Sequence, residues 1–191
     1  AAPRDFAFPS ADVPPTVVCL ARRGDPARQR ETAERGIAVI TLPDIRWRRS
    51  DIKSVMLLPA CLAKDEARRR GAREAWLVDD AGFVTEGASS NAWIVTGAGE
   101  IVTRDLSSAL LAGVTRATAA DVIRTEGLCF VERAFTVAEA VAAREAFITS
   151  ASNTVMPVVE IDGRAVADGR PGPIARRLRE KFHLVAEISP P

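Results

Sequence analysis

Residues 74–105, EAWLVDDAGFVTEGASSNAWIVTGAGEIVTRD, decide the fold class of this chain. Short apolar segments alternate here with polar ones, and DDAG and TGAG are typical of tight turns between neighbouring strands. The pattern predicts a strand in each of the segments EAWLVDD, FVTEG, NAWIV and IVTRD. Because the connections are short, we expect these four strands to form an antiparallel meander.

Downstream of this stretch the apolar period changes repeatedly between that of a helix and that of a strand. A helix is predicted over 116–126, ending at Gly127, and Thr136 with Glu139 forms a capping box that opens a helix to about residue 144. Pro173 at a first helical position starts a final amphipathic helix. Strands are predicted in CFVERAF, AFITS and PVVEID. This mixture of mainly antiparallel strands and flanking helices indicates an α+β fold.

Upstream, TVVCLA (16–21) and GIAVITLP (36–43) are β-branched apolar runs and are predicted as strands. A helix is expected from Ser54, or from near Pro59, to Arg70, with a glycine following as the C-cap. Four prolines make the first fifteen residues an extended segment. We therefore predict residues 1–15 as an inter-domain lead-in and residues 16–191 as the folded domain.

The composition excludes several classes of protein. With 47% apolar and 27% charged residues the chain can bury a core, and a net charge of +1 provides no field for nucleic acid or anionic lipid. No apolar run is long enough to span a membrane, and the first residues lack the pattern of a signal peptide. We therefore expect a cytoplasmic protein that binds neither nucleic acid nor membrane.

Cysteine and histidine are too sparse for a metal site or a disulfide framework. Cys19, Cys61 and Cys129 are far apart and odd in number, and we expect them to be buried free thiols. The single histidine, His183, has no clustered ligands and cannot form a serine–histidine–aspartate triad. No metal is predicted.

Lys53 is the first candidate for chemistry, in the segment DIRWRRSDIKS. Arg46, Arg48 and Arg49 precede it, and nearby cations favour the neutral, nucleophilic form of a lysine amine. The chain has only three lysines among its 26 basic residues, so few amines compete for this role. The alternative is an ordinary exposed lysine at the end of a basic strand.

Three further segments could serve one ligand together with Lys53. Glu86 lies where a strand enters a Gly-Ser turn, and Gly113-Val114-Thr115 precedes a helix whose first amides can bind a phosphate. The segment 149–152, Thr-Ser-Ala-Ser, offers a second turn rich in hydroxyls and amides. Each alone could be a turn or a helix cap. Together they suit a ligand with an aldehyde, a basic ring nitrogen and a phosphate.

These segments resemble, in order and spacing, the D-amino-acid and branched-chain aminotransferase family. The resemblance rests on DIRWRRSDIKS, VTEGASSNAW, LLAGVTR and FITSAS followed by PVVEIDG, and it covers essentially the whole chain. These proteins are the class IV, or fold-type IV, pyridoxal-phosphate enzymes. The resemblance implies the large cofactor-binding domain of that fold, and DIRW-x-R-x-DIKS is most similar to the D-amino-acid branch.

The resemblance implies a role for each matching residue. Lys53 matches the lysine that forms the Schiff base with pyridoxal 5′-phosphate and moves the proton at the substrate Cα, and Glu86 matches the acid on the pyridine nitrogen. Arg46 matches an arginine near the cofactor, and Leu111 a residue packed on the ring face. The remaining matches are to residues that bind the phosphate or lie beside the cofactor, namely Gly113, Val114, Thr115, Ser150, Ala151, Ser89, Ser90 and Asn91.

The chain also departs from the pattern. Relatives carry a small N-terminal domain ahead of the stretch that begins this chain, and that domain supplies an arginine and a tyrosine, whereas this chain has no tyrosine. Arg4 matches the arginine that binds the carboxylate of D-amino acids, but the histidine of that trap falls on Phe6. Position 151 is alanine where some relatives have threonine, so only its amide could bind phosphate.

The resemblance predicts a transaminase that moves an amino group between an amino acid, with D-alanine favoured, and a 2-oxo acid. It also implies a homodimer. Three alternatives remain open at this point: an aminodeoxychorismate lyase-like elimination, branched-chain aminotransferase activity, and a cofactor-binding fragment without catalysis.

Overall fold

The strand and helix bounds are those of a computed structural model that describes residues 5–21 and 23–188. The strands are β1 (Ile37–Pro43), β2 (Glu74–Val78), β3 (Val84–Gly87), β4 (Asn91–Val95), β5 (Ile101–Thr103), β6 (Phe130–Glu132), β7 (Glu145–Ser150), β8 (Thr154–Ile161) and β9 (Arg164–Ala165). The helices are α1 (Pro26–Arg35), α2 (Leu58–Arg69), α3 (Val114–Thr125), α4 (Val137–Val141) and α5 (Pro173–Ile188). None of the helices in this described part is long and apolar enough to cross a membrane.

The strands form one mixed sheet in the order β3-β2-β1-β8-β7-β4-β5-β6, with β9 paired to β8. The pairs β1–β2, β1–β8 and β5–β6 are parallel, and the other pairs are antiparallel. Four strands separate β3 from β4 in the strand order, yet Gly87 at the end of β3 bridges Ser90, which directly precedes β4. The sheet is therefore curled. The predicted α+β architecture with mainly antiparallel strands is confirmed.

Both faces of the sheet are buried, and neighbouring residues of one strand enter different cores. Trp76, Ile94 and Ile148 belong to a cluster that also contains residues of α1 and α4. Trp93 and Phe147, one position away, pack instead in a cluster with residues of α3 and α5. Burial on both sides explains why the strands are continuous apolar runs instead of alternating with polar residues.

The prediction of a strand at 16–21 is wrong, and a helix was missed after it. Residues 14–21 are exposed and belong to no helix or strand, and in the described part of the chain they pair with no strand. The missed helix is α1, where the Asp25 side chain accepts a hydrogen bond from the Arg28 amide at 3.0 Å and Pro26 occupies the first turn. Asp followed by Pro is a helix-start signal, so this helix was predictable.

The meander prediction is also wrong beyond its two hairpins. β2 pairs with β3 and β4 with β5, as the short turns predict, but β4 takes β7 as its other neighbour. The edge of β3 that does not face β2 is covered by the segment before α4, because the Val84 amide donates to the Phe135 carbonyl at 3.0 Å. Turn residues specify neighbouring hairpins, whereas pairings between distant strands depend on how the whole sheet curls.

Smaller differences concern helix ends and thiols. α2 begins at Leu58, with Pro59 in its first turn, rather than at Ser54. The N-cap half of the predicted capping box is present, since the Thr136 hydroxyl accepts from the Glu139 amide at 3.1 Å, whereas the Glu139 carboxylate pairs with Arg133. α4 ends at Val141 instead of about residue 144. The cysteines at 19, 61 and 129 are free but exposed, so their predicted burial is wrong.

Candidate active site

Glu86, on β3, is a carboxylate buried among hydrogen-bond donors. Only 4% of the residue is exposed. Asn91, at the start of β4, donates its side-chain amide at 3.0 Å, and the backbone N–H of Leu111 lies 3.2 Å from both carboxylate oxygens. The guanidinium of Arg46 forms an ion pair with the same carboxylate. Three predicted site residues therefore converge on Glu86.

Arg46 lies just after β1 and joins several segments. It donates from two of its nitrogens to Asp44, at 2.9 and 2.7 Å, and from Nη2 to the Ala109 carbonyl at 2.9 Å. Thr85 donates its hydroxyl to Asp44 at 2.8 Å. Asp44 was not recognised from the sequence, although its position two residues before Arg46 suits the fixed fork of a guanidinium.

The pKa values of the two carboxyl groups that share Arg46 are shifted in opposite directions. Burial opposes the ionisation of Asp44, but the hydrogen bonds and charge of Arg46 prevail and lower the pKa of Asp44 below its ordinary value. For Glu86, burial exceeds the attraction of Arg46 and the Leu111 amide, and it raises the pKa of Glu86 to about 7. The negative charge of Asp44 adds to that rise. Glu86 can therefore hold or release a proton near neutral pH.

This pKa predicts a pH-dependent stability that Glu86→Gln should remove. The folded-state pKa of Glu86, about 7, lies above its ordinary value of 4.5. The contribution of this group to stability is therefore fully present below pH 4.5 and is lost as the pH rises through about 7. From pH 5 to pH 8 the unfolding free energy of the parent chain should fall by about 2 kcal/mol relative to that of Glu86→Gln. Urea denaturation of both proteins at the two pH values measures this, and equal pH slopes would contradict it.

The segment before α3 is held against Glu86 by Asn91 and by a glycine. The Asn91 side chain donates to the Leu111 carbonyl at 2.9 Å as well as to Glu86. A Cβ at Gly113 would lie 2.4 Å from the Asn91 Oδ1 atom, closer than atoms can approach. An alanine at position 113 would therefore have to displace the Asn91 side chain, which packs directly against the backbone there.

We expect Gly113→Ala to destabilise the chain by about 1–3 kcal/mol, as overpacking does in a closed site. The added methyl group must displace Asn91, which then loses its hydrogen bond to Glu86. Gly97→Ala is the matched control, because no atom lies within 4 Å of a Cβ there and its backbone is not left-handed. Thermal unfolding of both variants measures the effect, and equal shifts in Tm would show that the Asn91 contact is unimportant.

The N-terminus of α3 presents backbone amides that no side chain of residues 5–21 or 23–188 caps. Gly113 is the N-cap residue, with extended backbone and no capping hydrogen bond from a side chain. Val114 and Thr115 follow as the first helical residues, whose N–H groups have no acceptor within a helix. Such amides and the positive end of the helix dipole suit a phosphate.

The second predicted phosphate turn lies on the neighbouring strand pair. β4 and β7 pair with Asn91 opposite Thr149, so Ser150 and the turn after it lie beside the start of β4. Of the hydrogen bonds of residues 5–21 and 23–188, none uses the amides of Ala151 or Ser152 as donors. The structure therefore brings this turn to the same end of β4 as Asn91, with two amides available.

The turn between β3 and β4 is organised by a glutamate that sequence reasoning missed. Ser89 and Ser90 donate their hydroxyls to one oxygen of Glu74, at 2.8 and 3.0 Å. Glu74 is 1% exposed, and the Lys64 ammonium lies 3.3 Å from its other oxygen. A carboxylate inside the apolar segment EAWLV was the available signal, because a buried charge requires partners.

Lys53 is not brought into contact with this cluster. It lies exposed on the segment between β1 and α2, and within the described residues it forms no hydrogen bond or ion pair. Arg49 pairs with Asp51 at 2.9 Å and Arg46 with two carboxylates, so carboxylates offset two of the three neighbouring cations. Phe6 is fully exposed, and Arg4 lies outside the described residues.

A buried carboxylate, and two sets of backbone amides that have no acceptor among the described residues, suit a ligand with a basic nitrogen and a phosphate. The family model "Amino-transferase class IV" matches residues 1–161. This chain therefore belongs to the class IV aminotransferase family.

Curated relatives agree with that assignment. The D-alanine aminotransferase of Staphylococcus haemolyticus is 40% identical over 186 residues, which are 97% of this chain and 64% of that protein. That of Staphylococcus epidermidis is 40% identical over 182 residues, 95% of this chain and 63% of the relative. The chain thus spans a little under two thirds of the length of these relatives.

Solved structures show the same fold. The branched-chain amino acid aminotransferase of Thermobaculum terrenum, in its PLP-bound holo form, superposes with a TM-score of 0.74 at 28% identity, covering 83% of this chain and 52% of that one. The branched-chain aminotransferase of Thermoproteus uzoniensis with norvaline superposes with a TM-score of 0.72 at 30% identity, covering 80% and 52%. The predicted fold-type IV architecture is therefore confirmed.

Proposed function

We propose that this chain binds pyridoxal 5′-phosphate and moves an amino group between an amino acid and a 2-oxo acid. The observation that carries the proposal is the buried carboxylate of Glu86, held by three donors beside the uncapped start of α3. D-alanine is the favoured donor, because the two D-alanine aminotransferases named above are 40% identical to this chain over nearly its whole length.

The residues present fit this cofactor. Glu86 accepts from Arg46 on one oxygen and from Asn91 on the other, and the Leu111 N–H lies 3.2 Å from both. A carboxylate has about four acceptor positions, so a further donor would share a position with this long, bifurcated contact. A pyridinium N–H is such a donor. The cofactor's phosphate suits the amides at the start of α3 and those at Ala151 and Ser152. When bound, pyridoxal phosphate supplies the sink for the electrons left at the substrate Cα.

Each residue then has a defined task. Lys53 would provide the primary amine that condenses with the cofactor's aldehyde, with loss of water, and the same amine, when free, would carry the proton to and from the substrate Cα. Glu86 keeps the proton on the pyridine nitrogen, and Asn91 and Arg46 hold Glu86 in place. Gly113, Val114, Thr115, Ser150 and Ala151 hold the phosphate, Leu111 covers the ring, and Ser89 and Ser90 border it. Arg4 binds the substrate carboxylate.

We further propose residues 1–15 as an inter-domain segment, residues 16–191 as the cofactor-binding domain, and a homodimer. Residues 5–21 form no helix or strand and almost all of them are exposed, which suits a connection. Large apolar side chains stay exposed along the segment before and within α2, including Ile45, Val55 and Leu58. Such a surface suits a subunit interface. The free thiols suit the reducing cytoplasm.

Titration with pyridoxal phosphate, followed by addition of an amino donor, tests the proposed function. The absorbance of the cofactor should shift on binding and change again with D-alanine, and pyruvate should be produced repeatedly when a 2-oxo acid acceptor is supplied. L-leucine in place of D-alanine separates the D-amino-acid assignment from branched-chain specificity. With D-serine, repeated pyruvate formation that needs no acceptor would show elimination chemistry. Absence of any absorbance change would refute cofactor binding.

A further inference from the structure

One arginine on α5 binds three successive residues at the turn between β7 and β8. The Nη1 atom of Arg179 lies 2.6 Å from the Asn153 carbonyl, 2.8 Å from the Thr154 hydroxyl and 2.7 Å from the Val155 carbonyl. Arg179 is 9% exposed, although four of its neighbours on α5 are charged and exposed. A buried guanidinium directed at backbone oxygens fixes the path of the chain there.

The position of Arg179 is itself determined at the other end of α5. Glu145, the first residue of β7, accepts hydrogen bonds from the Ile174 and Ala175 amides at 3.0 and 2.9 Å. A Cβ at Gly172 would overlap that carboxylate, so the helix start fits tightly against it. α5 is thus bonded to both ends of β7: Glu145 at the start of β7 binds the first amides of α5, and Arg179 of α5 binds the turn that follows β7.

Several oxygens of the turn are hydrogen-bonded, whereas the amides of Ala151 and Ser152 donate to no group among the described residues. Gln29 of α1 donates to the Ser152 carbonyl at 3.2 Å, which adds a further fixed oxygen to those bound by Arg179. Thr154 has φ +54°, a left-handed conformation that a β-branched residue rarely adopts. The contacts of Arg179 offset this strain. The exposed amides of Ala151 and Ser152 remain available as donors.

We propose that Arg179 is a positioning residue for the phosphate of the cofactor, acting through the shape of the turn 150–154. The inference rests on the proposed function, because it assumes that this turn binds phosphate. Arg179 contacts two backbone carbonyls and a hydroxyl of the turn, so its proposed effect on phosphate binding is indirect. By holding the carbonyls of Asn153 and Val155 inward it keeps the two outer amides in the arrangement that an anion requires.

The test compares the affinities of the chain for pyridoxal 5′-phosphate and for pyridoxal, which lacks the phosphate. Arg179→Met should weaken the binding of pyridoxal 5′-phosphate about tenfold, because the displaced turn amides lose hydrogen bonds to the charged phosphate. The affinity for pyridoxal should stay nearly unchanged. Arg179→Lys should recover part of the loss, because an ammonium can still donate to the carbonyls. Arg176→Met, at an exposed position of the same helix, is the control and should change neither affinity.

Hydrogen exchange of the unliganded proteins gives a second readout. Amides of residues 153–155 should exchange faster in Arg179→Met and in Arg179→Lys than in the parent chain, without faster exchange in β4. Equal loss of affinity for both ligands, or no loss for either, would overturn the proposal for Arg179. If the parent chain itself binds the two ligands equally, the phosphate site and with it the proposed function fail. Discrimination retained by both the parent and Arg179→Met would refute only the role of Arg179.

Discussion

Replacing Lys53 with alanine should abolish the covalent adduct with pyridoxal phosphate and reduce transamination by about a thousandfold or more. The loss is large because the same amine is proposed both to bond to the aldehyde and to move the proton at Cα, and proton transfer by a positioned side chain alone contributes about 10²–10⁴-fold. Borohydride reduction followed by peptide mapping measures the adduct, and a coupled pyruvate assay measures the rate.

The small number of lysines makes this experiment clear. The other two, Lys64 and Lys181, are ion-paired with Glu74 and Glu126, at 3.3 and 3.1 Å. Lys181→Ala is the control and should retain the adduct and the rate. Because Lys53 is exposed and makes no contact with Glu86 in this structure, the mapping also tests whether its segment moves onto the cofactor. An adduct that maps to Lys64 or Lys181 would refute the assignment.

Glu86→Gln should slow transamination by about 10²–10³-fold while the cofactor stays bound. A neutral amide cannot hold the pyridine nitrogen in its protonated form, so the ring accepts electrons from Cα less readily, and losses of this size are typical when one buried electrostatic contact to a transition state is removed. Single-turnover rates at saturating cofactor, with occupancy checked by absorbance, separate this effect from weaker binding.

The control for this variant is Glu100→Gln, which removes a carboxylate from the turn between β4 and β5, outside the site. It should leave the rate unchanged. If Glu86→Gln retains the parent rate at full occupancy, Glu86 does not control protonation of the ring. If the rate falls only because the cofactor dissociates, the role of Glu86 is in binding alone.

Much of the site could be predicted because its parts are short and local. Asn91 begins β4 directly after a Gly-Ser turn, and Gly113 directly precedes α3. Such turns and helix starts are recognisable in sequence. Glu86 is polar within a strand, which already requires a partner. The roles of these residues toward a cofactor remain predictions, since they come from the family resemblance and from geometry that suits it.

The parts that were missed depend on partners far away in sequence. Glu74 organises serines fifteen and sixteen positions further on, and Asp44 shares Arg46 with Glu86 across some forty residues. Arg179 is one of several arginines in an arginine-rich helix, and only its burial against the β7–β8 turn distinguishes it from Arg176. The apolar period of Ala175, Leu178 and Phe182 places Arg179 beside the buried face of α5, but it does not specify which oxygens that guanidinium binds.

Sequence alone was therefore sufficient for the α+β class, the two hairpins and most helix and strand positions, because propensity, turn chemistry and capping act within a few residues. The residues around Glu86 were named from the family resemblance, and their roles toward a cofactor stay predictions. The tertiary structure decided that β4 pairs with β7, that residues 16–21 form no strand and that one guanidinium serves both Asp44 and Glu86. It also decided the pKa of Glu86. The physical reason is that strand pairing across long loops, burial and charge sharing depend on distances in space, which the order of residues does not specify.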